Sequence, residues 1–424
     1  MTKFNRLKDC VVSNKSVIVR VDFNVPIVDG KIADDTRIKA CIPTLKYLLQ
    51  NNAKVIVISH FGRPEGKFEE SQSLQQIVKH LANLLKPYQV NFAEDCVGQK
   101  AENAVEKTRY GQLILLENLR FHKSETKNDE AFSSQLASLG NLYVNDAFSC
   151  SHRSHASITG ISTKLKSCAG LLMENELDNL SNLLENAQKP MMAIVGGAKV
   201  STKIDLLKAL VKKAQTIVVG GGMANTFLYA QGHKIGKSLC EKELATNALE
   251  IIDLAKKSNC QIILPFEVVV AKKFEKNATN RTITLEQIND DEMILDIGKK
   301  SLNKIIDDLA SHQTVLWNGP VGAFEIEPFN NGSVALAEAI ADLTQRKKII
   351  SVAGGGDVVS AINSCNMFDK FTYISTAGGA FLEWLEGKDL PGITALKNSA
   401  KINSSTDDEI VSQLAKKTKN ISKL

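Results

Sequence analysis

Short runs of β-branched and apolar residues recur along the chain, and most are separated by stretches with helical patterning. Ten runs fit this description: SVIVRV (16–21), KVIVIS (54–59), QLILL (112–116), NLYVN (141–145), MMAIV (191–195), TIVVG (216–220), QIILP (261–265), TVLW (314–317), KIISV (348–352) and TYIS (372–375). Near-continuous apolar strands that alternate with helices are typical of parallel sheets covered on both faces. Ten strands are many for one sheet. The pattern therefore predicts an α/β fold with two doubly wound parallel-sheet lobes.

The two lobes are expected to be joined by a helix within LLMENELDNLSNLLENAQKP (171–190). Leu177, Leu180 and Leu184 share one face of this helix, and a proline follows it. The predicted domains are an N-terminal lobe (1–172), an interdomain helix (173–189), a C-terminal lobe (190–390) and a segment returning toward the N-terminal lobe (391–424). We expect weak order after about residue 400, where the chain is polar. An ordinary surface helix of one large domain is the alternative.

Composition excludes several classes of protein. The net charge of +5 is small for 424 residues, and both signs are interspersed, so nucleic acid is not an expected partner. The start, MTKFNRLKDCVVSNK, has no apolar core of a signal peptide, and no run of about 18 apolar residues occurs. We therefore expect a cytoplasmic protein without membrane segments. Eight scattered cysteines favour reduced thiols over disulfides or a zinc ribbon.

Arginine and glycine divide unequally along the chain. Seven of the nine arginines precede residue 190, whereas eighteen of the 26 glycines follow it. Arginine offers a planar fork to phosphate and carboxylate, and glycine lets backbone amides approach a phosphate closely. The two halves are therefore predicted to bind two different anionic ligands.

Polar residues follow each predicted strand of the first half, where ligands bind in open parallel sheets. The segments are DFNVP, HFGRP, ENLRF and DAFSCSHR, and they bring together Asp22, Asn24, His60, Arg63, Arg120 and Arg153, with Arg37 nearby in ADDTRIKA. Several arginines facing one cleft would carry a large unpaired charge unless a polyanion lies among them. Separate surface salt bridges are the alternative for any single arginine.

Glycine-rich segments follow the predicted strands of the second half. They are VGGAKVSTK, GGGMANTF, WNGPVGAFE, AGGGDVVS and STAGGAFLEW. A strand, then glycines, then a helix directs free amides and a helix dipole at phosphate, so five such loops indicate a nucleotide. Lys199 and Lys203 are four residues apart and are predicted to share a helix face. Asp357 is predicted to be a helix N-cap or a Mg²⁺ ligand.

Two motifs resemble other sites. GHKIGKS (232–238) is one residue short of a Walker A loop and follows a helical stretch instead of a strand. FSCSHRSHAS (148–157) has the spacing C-x-H-x-x-H, which could hold zinc, but it lacks a fourth ligand and contains Arg153. Cys150 could also be a nucleophile. We favour packing for Cys150 and support of Arg153 for the two histidines.

Taken together, the strand-end segments resemble those of the phosphoglycerate kinase family. The resemblance runs in order from about residue 5 to about 396 and includes RVDFNVP, SHFGRP, LLENLRF, DAFSCSHRSHAS, IVGGAKVSTK, GGGMANTF, LWNGPVGAFE, AGGGDVV and STAGGAFLEWLEGKDLPG. It implies a two-lobed, Mg²⁺-dependent, monomeric kinase of glycolysis and gluconeogenesis, which interconverts 3-phosphoglycerate plus ATP with 1,3-bisphosphoglycerate plus ADP. The lobes are then expected to close before transfer.

The resemblance also implies site residues. The phosphoglycerate site would comprise Asp22, Phe23, Asn24, Arg37, His60, Phe61, Gly62, Arg63, Arg120 and Arg153. The nucleotide site would comprise Gly197, Ala198, Lys199, Lys203, Gly221, Gly222, Asn318, Glu325, Gly355, Gly356, Asp357 and Val358, with Asp357 also on Mg²⁺. Arg37, Lys199 and the amides that follow Gly354, Gly355 and Gly356 are expected to stabilise the transition state.

Two departures from the family pattern stand at Ala377 and Val358, where the family has glycine and commonly threonine. An alanine could strain a tight turn, and valine lacks a hydroxyl for phosphate, so both raise doubt about turnover. A two-lobed binding protein without chemistry is the alternative from another class. Such proteins are typically exported, which the expected cytoplasmic location disfavours.

Overall fold

A computed structural model describes residues 4–185 and 187–400, without the side chains of residues 184 and 185. It contains seventeen strands: β1 (Ser16–Arg20), β2 (Ile27–Val28), β3 (Lys31–Ile32), β4 (Lys54–Ile58), β5 (Val90–Ala93), β6 (Leu113–Leu116), β7 (Leu142–Asn145), β8 (Ser167–Ala169), β9 (Met191–Val195), β10 (Thr216–Val219), β11 (Gln261–Ile263), β12 (Glu267–Ala271), β13 (Asn280–Thr284), β14 (Met293–Ile297), β15 (Thr314–Asn318), β16 (Ile350–Gly354) and β17 (Tyr373–Ser375) in the described part of the chain.

The described α-helices are α1 (Thr36–Gln50), α2 (Gln75–Leu84), α3 (Gly98–Lys107), α4 (Lys123–Thr126), α5 (Glu130–Ala137), α6 (Leu171–Glu185), α7 (Ile204–Val211), α8 (Gly221–Ala230), α9 (Ala245–Lys257), α10 (Lys299–Leu309), α11 (Asn331–Gln345), α12 (Gly356–Ser364) and α13 (Gly379–Leu385). Residues 391–400 are also helical. No helix within these ranges has both the length and the apolar composition needed to cross a membrane.

Two six-stranded parallel sheets organise the chain. The first has the order β5-β6-β4-β1-β7-β8, and the second has the order β11-β10-β9-β15-β16-β17. All ten strands predicted from the sequence lie in these two sheets, so the predicted α/β class with two parallel sheets is confirmed. The apolar runs are continuous because helices cover both faces: every residue of β6, β7, β9 and β15 is buried.

Strands with weaker signals were not predicted. β5 and β8 complete the first sheet, although neither is rich in β-branched residues. A three-stranded antiparallel sheet, β13-β12-β14, follows β11 directly. β12 begins two residues after Pro265, so the sequence does not separate it clearly from the preceding apolar run. A short hairpin of β2 and β3 was also missed.

The chain divides into two compact units. One comprises the chain up to Asp178 and again from Asp389, and the other is Asn179–Lys388. The division falls within α6. The returning segment bonds to the first unit, since Gly392 N donates to Ser151 O at 2.9 Å and Ser167 N donates to Ser399 Oγ at 3.0 Å. The exact lobe boundaries stay predictions, and the expected weak order beyond residue 400 lies outside the described residues.

Each sheet has a reversal point, where the connections that follow two neighbouring strands diverge to opposite sides. In the first sheet it lies between β1 and β7, and in the second it lies between β9 and β15. Connections leave these neighbouring strands in opposite directions, which opens a crevice beyond their carboxyl ends. The first predicted site segment of each half follows one of these strands: DFNVP follows β1, and VGGAKVSTK follows β9.

Candidate active site

A cavity of about 560 Å³ in the first unit is lined mainly by cationic and imidazole side chains. Its lining residues are Arg63, Glu65, Gly66, Arg120, His122, Lys123, Thr126, Lys127, Arg153 and His155. We call it the cationic cavity. Three of the predicted arginines meet there, whereas the two lysines and His122 were not predicted. Cations this concentrated suit a ligand with several negative charges.

Arg120 is the most constrained cation of the cationic cavity. Its side chain is 8% exposed, and Nη1 donates to the Gly62 carbonyl at 2.6 Å. Its Nε has no hydrogen-bond partner in the described part of the chain. Burial, followed by repulsion from Arg153 and Arg20, lowers the pKa of Arg120 to about 10. A bound anion would relieve this repulsion and give Nε an acceptor.

Arg37 lies in a second group of predicted residues, after β1. Its Nη1 donates to Asp22 Oδ2 at 3.1 Å and to the Asn24 carbonyl at 3.0 Å. Asn24 Oδ1 in turn accepts from Gly62 N at 2.9 Å, which joins this group to the loop that carries Arg63. Ser149 Oγ, after β7, donates to Asp22 Oδ2 at 2.6 Å. The reversal point of the sheet therefore does bring together side chains from distant segments.

The predicted aromatic residues take a different position. The side chains of Phe23 and Phe61 are buried in the core of the first unit. Phe23 N donates to Ser59 Oγ, and Phe61 N donates to Asn118 Oδ1. They therefore shape the loops that carry Asp22 and Arg63, with their rings directed into the core.

Arg20 is a site residue that sequence reasoning missed. It is 1% exposed, and its Nη2 donates to His60 Nδ1 at 3.1 Å while its Nε donates to Ser157 Oγ at 2.9 Å. Ser157 Oγ donates to the buried Glu125 carboxylate. Burial, together with Arg20, Arg120 and other cations, holds the pKa of His60 well below its usual value although Asp22 opposes this. The position of Arg20 at the end of a predicted strand, two residues before Asp22, was the available signal.

The zinc and nucleophile alternatives at residues 148–157 gain no support. Among the described residues, Cys150 groups with Asp22 and His60 rather than with His152 and His155. Arg20, whose charge would repel a metal, contacts His60 Nδ1, the nitrogen that faces Cys150 and Asp22. Cys150 is 6% exposed, and burial raises its pKa, so the thiol stays protonated. All eight cysteines are free thiols.

Arg153 keeps the position expected of a ligand-binding residue. It lines the cationic cavity, and its Nε donates to His152 Nε2 at 3.1 Å. His155 lines the same cavity, where burial and the nearby arginines lower its pKa to about 4. His155 therefore stands beside Arg153 as a neutral group, and His152 accepts a hydrogen bond from Arg153.

Two neighbouring cavities mark the second unit at the ends of β9, β10, β15 and β16. The first, of about 400 Å³, is lined by Gly196, Gly197, Ala198, Lys199, Thr202, Lys203, Asn318, Gly319, Gly355, Gly356, Asp357, Val358, Gly378, Gly379 and Leu382. We call it the glycine cavity. Its lining combines backbone amides with two lysines, which is the chemistry that binds phosphate.

The second cavity, of about 310 Å³, has an apolar lining and shares Gly197, Ala198 and Asp357 with the glycine cavity. We call it the apolar cavity. Its lining includes the predicted Gly221, Gly222 and Glu325. Leu239, Pro265, Phe274, Met293 and Leu295 were not predicted. Most of these come from the β12–β14 region, and exposure of Leu239 and Phe274 (52% and 53%) marks a surface suited to a flat apolar ligand.

The two lysines of the glycine cavity do not share a helix face, and that prediction was wrong. A 3₁₀ turn at Val200–Thr202 separates them, so Lys199 is extended and Lys203 precedes α7. Both still line one cavity because the tighter turn folds the chain back. Lys203 Nζ donates to Asn318 Oδ1, and burial lowers the pKa of Lys203 to about 8 although Asp357 and Glu386 oppose this.

The start of α12 supplies amides and a carboxylate. Gly355 is the N-cap, with φ of 107°, so Asp357 is not the cap and lies in the first turn. The Asp357 side chain is exposed and borders both the glycine and apolar cavities. Gly354 lines neither cavity; its carbonyl accepts from Asn318 Nδ2 at 2.5 Å, and a side chain there would meet the Phe381 ring.

The departures from the family pattern are accommodated. Ala377 has no left-handed backbone; the neighbouring Gly378, with φ of 57°, takes that conformation. The expected strain at Ala377 is therefore absent. Val358 has a fully buried side chain in the core of the second unit. GHKIGKS follows α8 and precedes no helix directly, which disfavours a Walker A loop.

Comparisons with known proteins agree with this geometry. The family model described as phosphoglycerate kinase matches residues 7–388. Proteins named phosphoglycerate kinase from Rhodopseudomonas palustris and Xanthobacter autotrophicus are 52% and 49% identical over 401 and 397 residues, covering 94% of this chain and all of each relative.

Solved structures give the same result. The structure of phosphoglycerate kinase from Coxiella burnetii matches with a TM-score of 0.85 at 40% identity, over 94% of this chain and 100% of that one. The enzyme from Pyrococcus horikoshii matches with a TM-score of 0.82 at 32% identity, over 94% and 99%. The family model covers most of the chain, and the relatives are covered along their full length. This chain therefore belongs to the phosphoglycerate kinase family.

Proposed function

We infer that this chain is an ATP-dependent kinase that interconverts 3-phosphoglycerate and ATP with 1,3-bisphosphoglycerate and ADP, the reaction of glycolysis and gluconeogenesis. Membership of the family supports this activity. The observation that carries the assignment of sites is the contrast between the cationic cavity of one sheet and the paired glycine and apolar cavities of the other. A phosphorylated carboxylic acid needs the first environment, and a nucleotide needs the second.

The cationic cavity is the proposed site of 3-phosphoglycerate. Arg63, Arg120 and Arg153 would bind its phosphate, because their guanidinium groups match phosphate oxygens in pairs. Arg37 is held toward Asp22 and Asn24 and would approach the carboxylate that accepts the phosphoryl group. The other predicted residues of this site would hold the loops that carry these arginines; they are Asp22, Phe23, Asn24, His60, Phe61 and Gly62.

The glycine and apolar cavities together are the proposed nucleotide site. The apolar cavity suits the base, and Glu325 on its edge would accept from ribose hydroxyls. The glycine cavity suits the phosphates, which would meet Lys199, Lys203 and the amides at the start of α12. The Lys203–Asn318 hydrogen bond would hold that lysine in place.

The chemistry of the transfer requires positioning and charge neutralisation. The acceptor carboxylate is already ionised at neutral pH, so no general base is needed. Negative charge on the transferred phosphoryl group would be stabilised by Arg37, Lys199 and the α12 amides. Arg37 is already held by Asp22 and Asn24, and the α12 amides are fixed by the helix, so little reorganisation is required of these groups in the transition state.

Asp357 is the proposed Mg²⁺ ligand. Mg²⁺ in kinases is held by one or two carboxylates together with phosphate oxygens and water. The exposed Asp357 carboxylate fits this donor set, since it borders the glycine cavity from the first turn of α12. When bound, Mg²⁺ supplies neutralisation of phosphate charge. The monomeric state and cytoplasmic location stay predictions.

A coupled assay of ADP formation tests the proposal. Purified protein with ATP, Mg²⁺ and 3-phosphoglycerate should turn over, and omission of 3-phosphoglycerate should stop ADP formation. Lys199→Ala and Arg37→Ala should each lower kcat by about a hundredfold or more, since each removes a transition-state contact. Activity in the wild-type protein no greater than in these variants would contradict the proposal and favour a binding protein without chemistry.

A further inference from the structure

Glu241 lies outside both nucleotide cavities but bonds to the turn between Lys199 and Lys203. Its Oε2 accepts from Ser201 N at 2.9 Å, and its Oε1 accepts from Ser201 Oγ at 2.6 Å. The Val200 amide is a further donor to the same carboxylate. These donors belong to the 3₁₀ turn that begins directly after Lys199.

The carboxylate is therefore an anion at the amino end of a helical turn, bound by the amides that such a turn leaves free. Burial opposes its charge, but the Ser201 hydroxyl, the Ser201 and Val200 amides and the nearby Lys199 lower the pKa of Glu241. Charge-assisted bonds of this kind are roughly twice as strong as neutral ones. The turn is consequently held by Glu241 before any nucleotide binds.

The segment that carries Glu241 is itself anchored on α8. Glu241 N donates to Thr226 Oγ1 at 3.1 Å, and Asn225 Nδ2 donates to the Leu239 carbonyl at 3.1 Å. Both Asn225 and Thr226 are about 1% exposed, so this anchor is rigid. Leu239 also lines the apolar cavity. One short segment thus contacts the proposed base site and the proposed phosphate-binding turn.

We propose that Glu241 is a positioning residue that holds the Val200–Thr202 turn and thereby places Lys199 for phosphoryl transfer. Lys199 itself is exposed and extended, so its location depends on the backbone on either side of it. On the preceding side Gly197 N donates to the Pro320 carbonyl at 3.1 Å, and on the following side Glu241 holds the turn. This inference rests on the proposed role of Lys199 in the reaction.

The test measures kcat and both KM values in the coupled assay. Glu241→Ala should lower kcat about tenfold, since small misplacement of a catalytic group has large effects on rate. The KM for 3-phosphoglycerate should change less than about twofold, because that ligand is proposed to bind in the other unit. Glu243→Ala is the matched control: it removes a neighbouring exposed carboxylate and should behave as wild type.

Two further variants separate positioning from a merely structural role. In Glu241→Gln the side chain can still accept from Ser201 N and can donate to Ser201 Oγ, so it should restore most of the kcat lost in Glu241→Ala. In a Lys199→Ala background, Glu241→Ala should lower kcat by less than about twofold, because residues that act as a unit are not additive.

Three results would overturn the inference: wild-type kcat in Glu241→Ala, no rescue by Glu241→Gln, or an undiminished tenfold loss in the Lys199→Ala background. Failure of the proposed function looks different. In that case the wild-type protein lacks the activity, or Lys199→Ala retains full kcat, and either is seen without any change at Glu241.

Discussion

Each of the two proposed sites contains a cation whose pKa is lowered by burial. Arg120 in the first unit is buried and Lys203 in the second is half-buried, and the pKa of each falls, to about 10 and about 8. Arg120 remains charged at neutral pH, whereas Lys203 approaches its titration range. A bound phosphate returns to each cation the interaction that water no longer provides.

Lys203 should couple ATP binding to proton uptake. Burial lowers its pKa to about 8 in the free protein, and bound phosphates favour the charged form, which raises that pKa. At about pH 9, ATP binding should therefore take up a substantial fraction of one proton, and the KM for ATP should rise by at most about tenfold per pH unit above pH 8. Calorimetric titrations in two buffers of different ionisation enthalpy measure the uptake.

Lys203→Arg provides the control for this prediction. A guanidinium stays charged throughout this pH range, so the variant should bind ATP without proton uptake. Unchanged uptake in Lys203→Arg would assign the proton to another group.

Arg153 should act on one substrate alone. Arg153→Ala is expected to weaken 3-phosphoglycerate binding about 10- to 100-fold, the range for loss of a hydrogen bond to a charged group. ATP affinity should change less than about twofold, since the glycine and apolar cavities lie in the other unit. Equilibrium titrations with each ligand measure both. Arg109→Ala, at an exposed arginine that does not line the cationic cavity, should affect neither; equal loss of both affinities in Arg153→Ala would contradict the assignment of sites.

At the scale of elements, the start of α12 depends on a conformation that only glycine adopts readily. Gly355 has φ of 107°, and a Cβ there would lie 2.9 Å from Asn318 Nδ2. Gly356, the next residue, has neither restriction: its φ is not positive, and a Cβ added there would meet no neighbouring segment within 4 Å. The backbone conformation therefore requires glycine at position 355 but not at position 356.

These two glycines give a matched comparison. Gly355→Ala should destabilise the protein by about 1–3 kcal/mol through backbone strain, and it should also weaken ATP binding by shifting Asn318. Gly356→Ala should change stability by less than about 0.5 kcal/mol, because an exposed helix start tolerates alanine. Thermal and urea unfolding measure both effects. Equal destabilisation by the two substitutions would show that the left-handed backbone at Gly355 is not the cause.

Strands were predicted correctly where they are long and fully buried. The relative placement of Lys199 and Lys203 was predicted wrongly because a 3₁₀ turn lies between them. The long, apolar and β-branched strands of the two parallel sheets were located from the sequence, because such runs are buried on both faces. β5 and β8 were missed since they are short and poor in β-branched residues. Lys199 and Lys203 were placed on one helix face since four-residue spacing is shared by an α-helix and by a chain that includes a 3₁₀ turn.

At the scale of the whole molecule, the two substrates are assigned to different compact units. Each unit has its own parallel sheet and its own clusters of buried apolar side chains. The cationic cavity draws its residues from the unit that ends at Asp178, and both nucleotide cavities draw theirs from Asn179–Lys388. Ligand-induced protection should therefore be separable.

Hydrogen exchange with mass spectrometry tests this separation. 3-Phosphoglycerate alone should slow exchange mainly in peptides from the loops after β1, β4, β6 and β7. ATP with Mg²⁺ should slow it mainly in peptides from the loop after β9 and the start of α12, because a ligand stabilises the segments that it orders. Protection of the cationic cavity by ATP alone would contradict the assignment.

The sequence by itself determined the fold class and the two kinds of anion chemistry, because both depend on residue type and on position relative to a strand. Arginines and glycines after strands must meet at the carboxyl edge of a parallel sheet, so Arg63, Arg120 and Arg153 could be grouped without coordinates. The unequal division of arginine and glycine between the two halves predicted a polyanion on one side and a nucleotide on the other.

Only the tertiary structure decided which side chains line the proposed sites. Lys123 and Lys127 line the cationic cavity from a segment with no ligand-binding pattern, and Arg20 reaches His60 from the buried strand β1. Leu239 and Phe274 line the apolar cavity, which their sequence positions do not indicate. Val358 turns into the core, and Glu241 reaches a turn forty positions earlier in the chain. Burial, orientation and contacts between distant segments depend on packing, which a linear pattern does not specify.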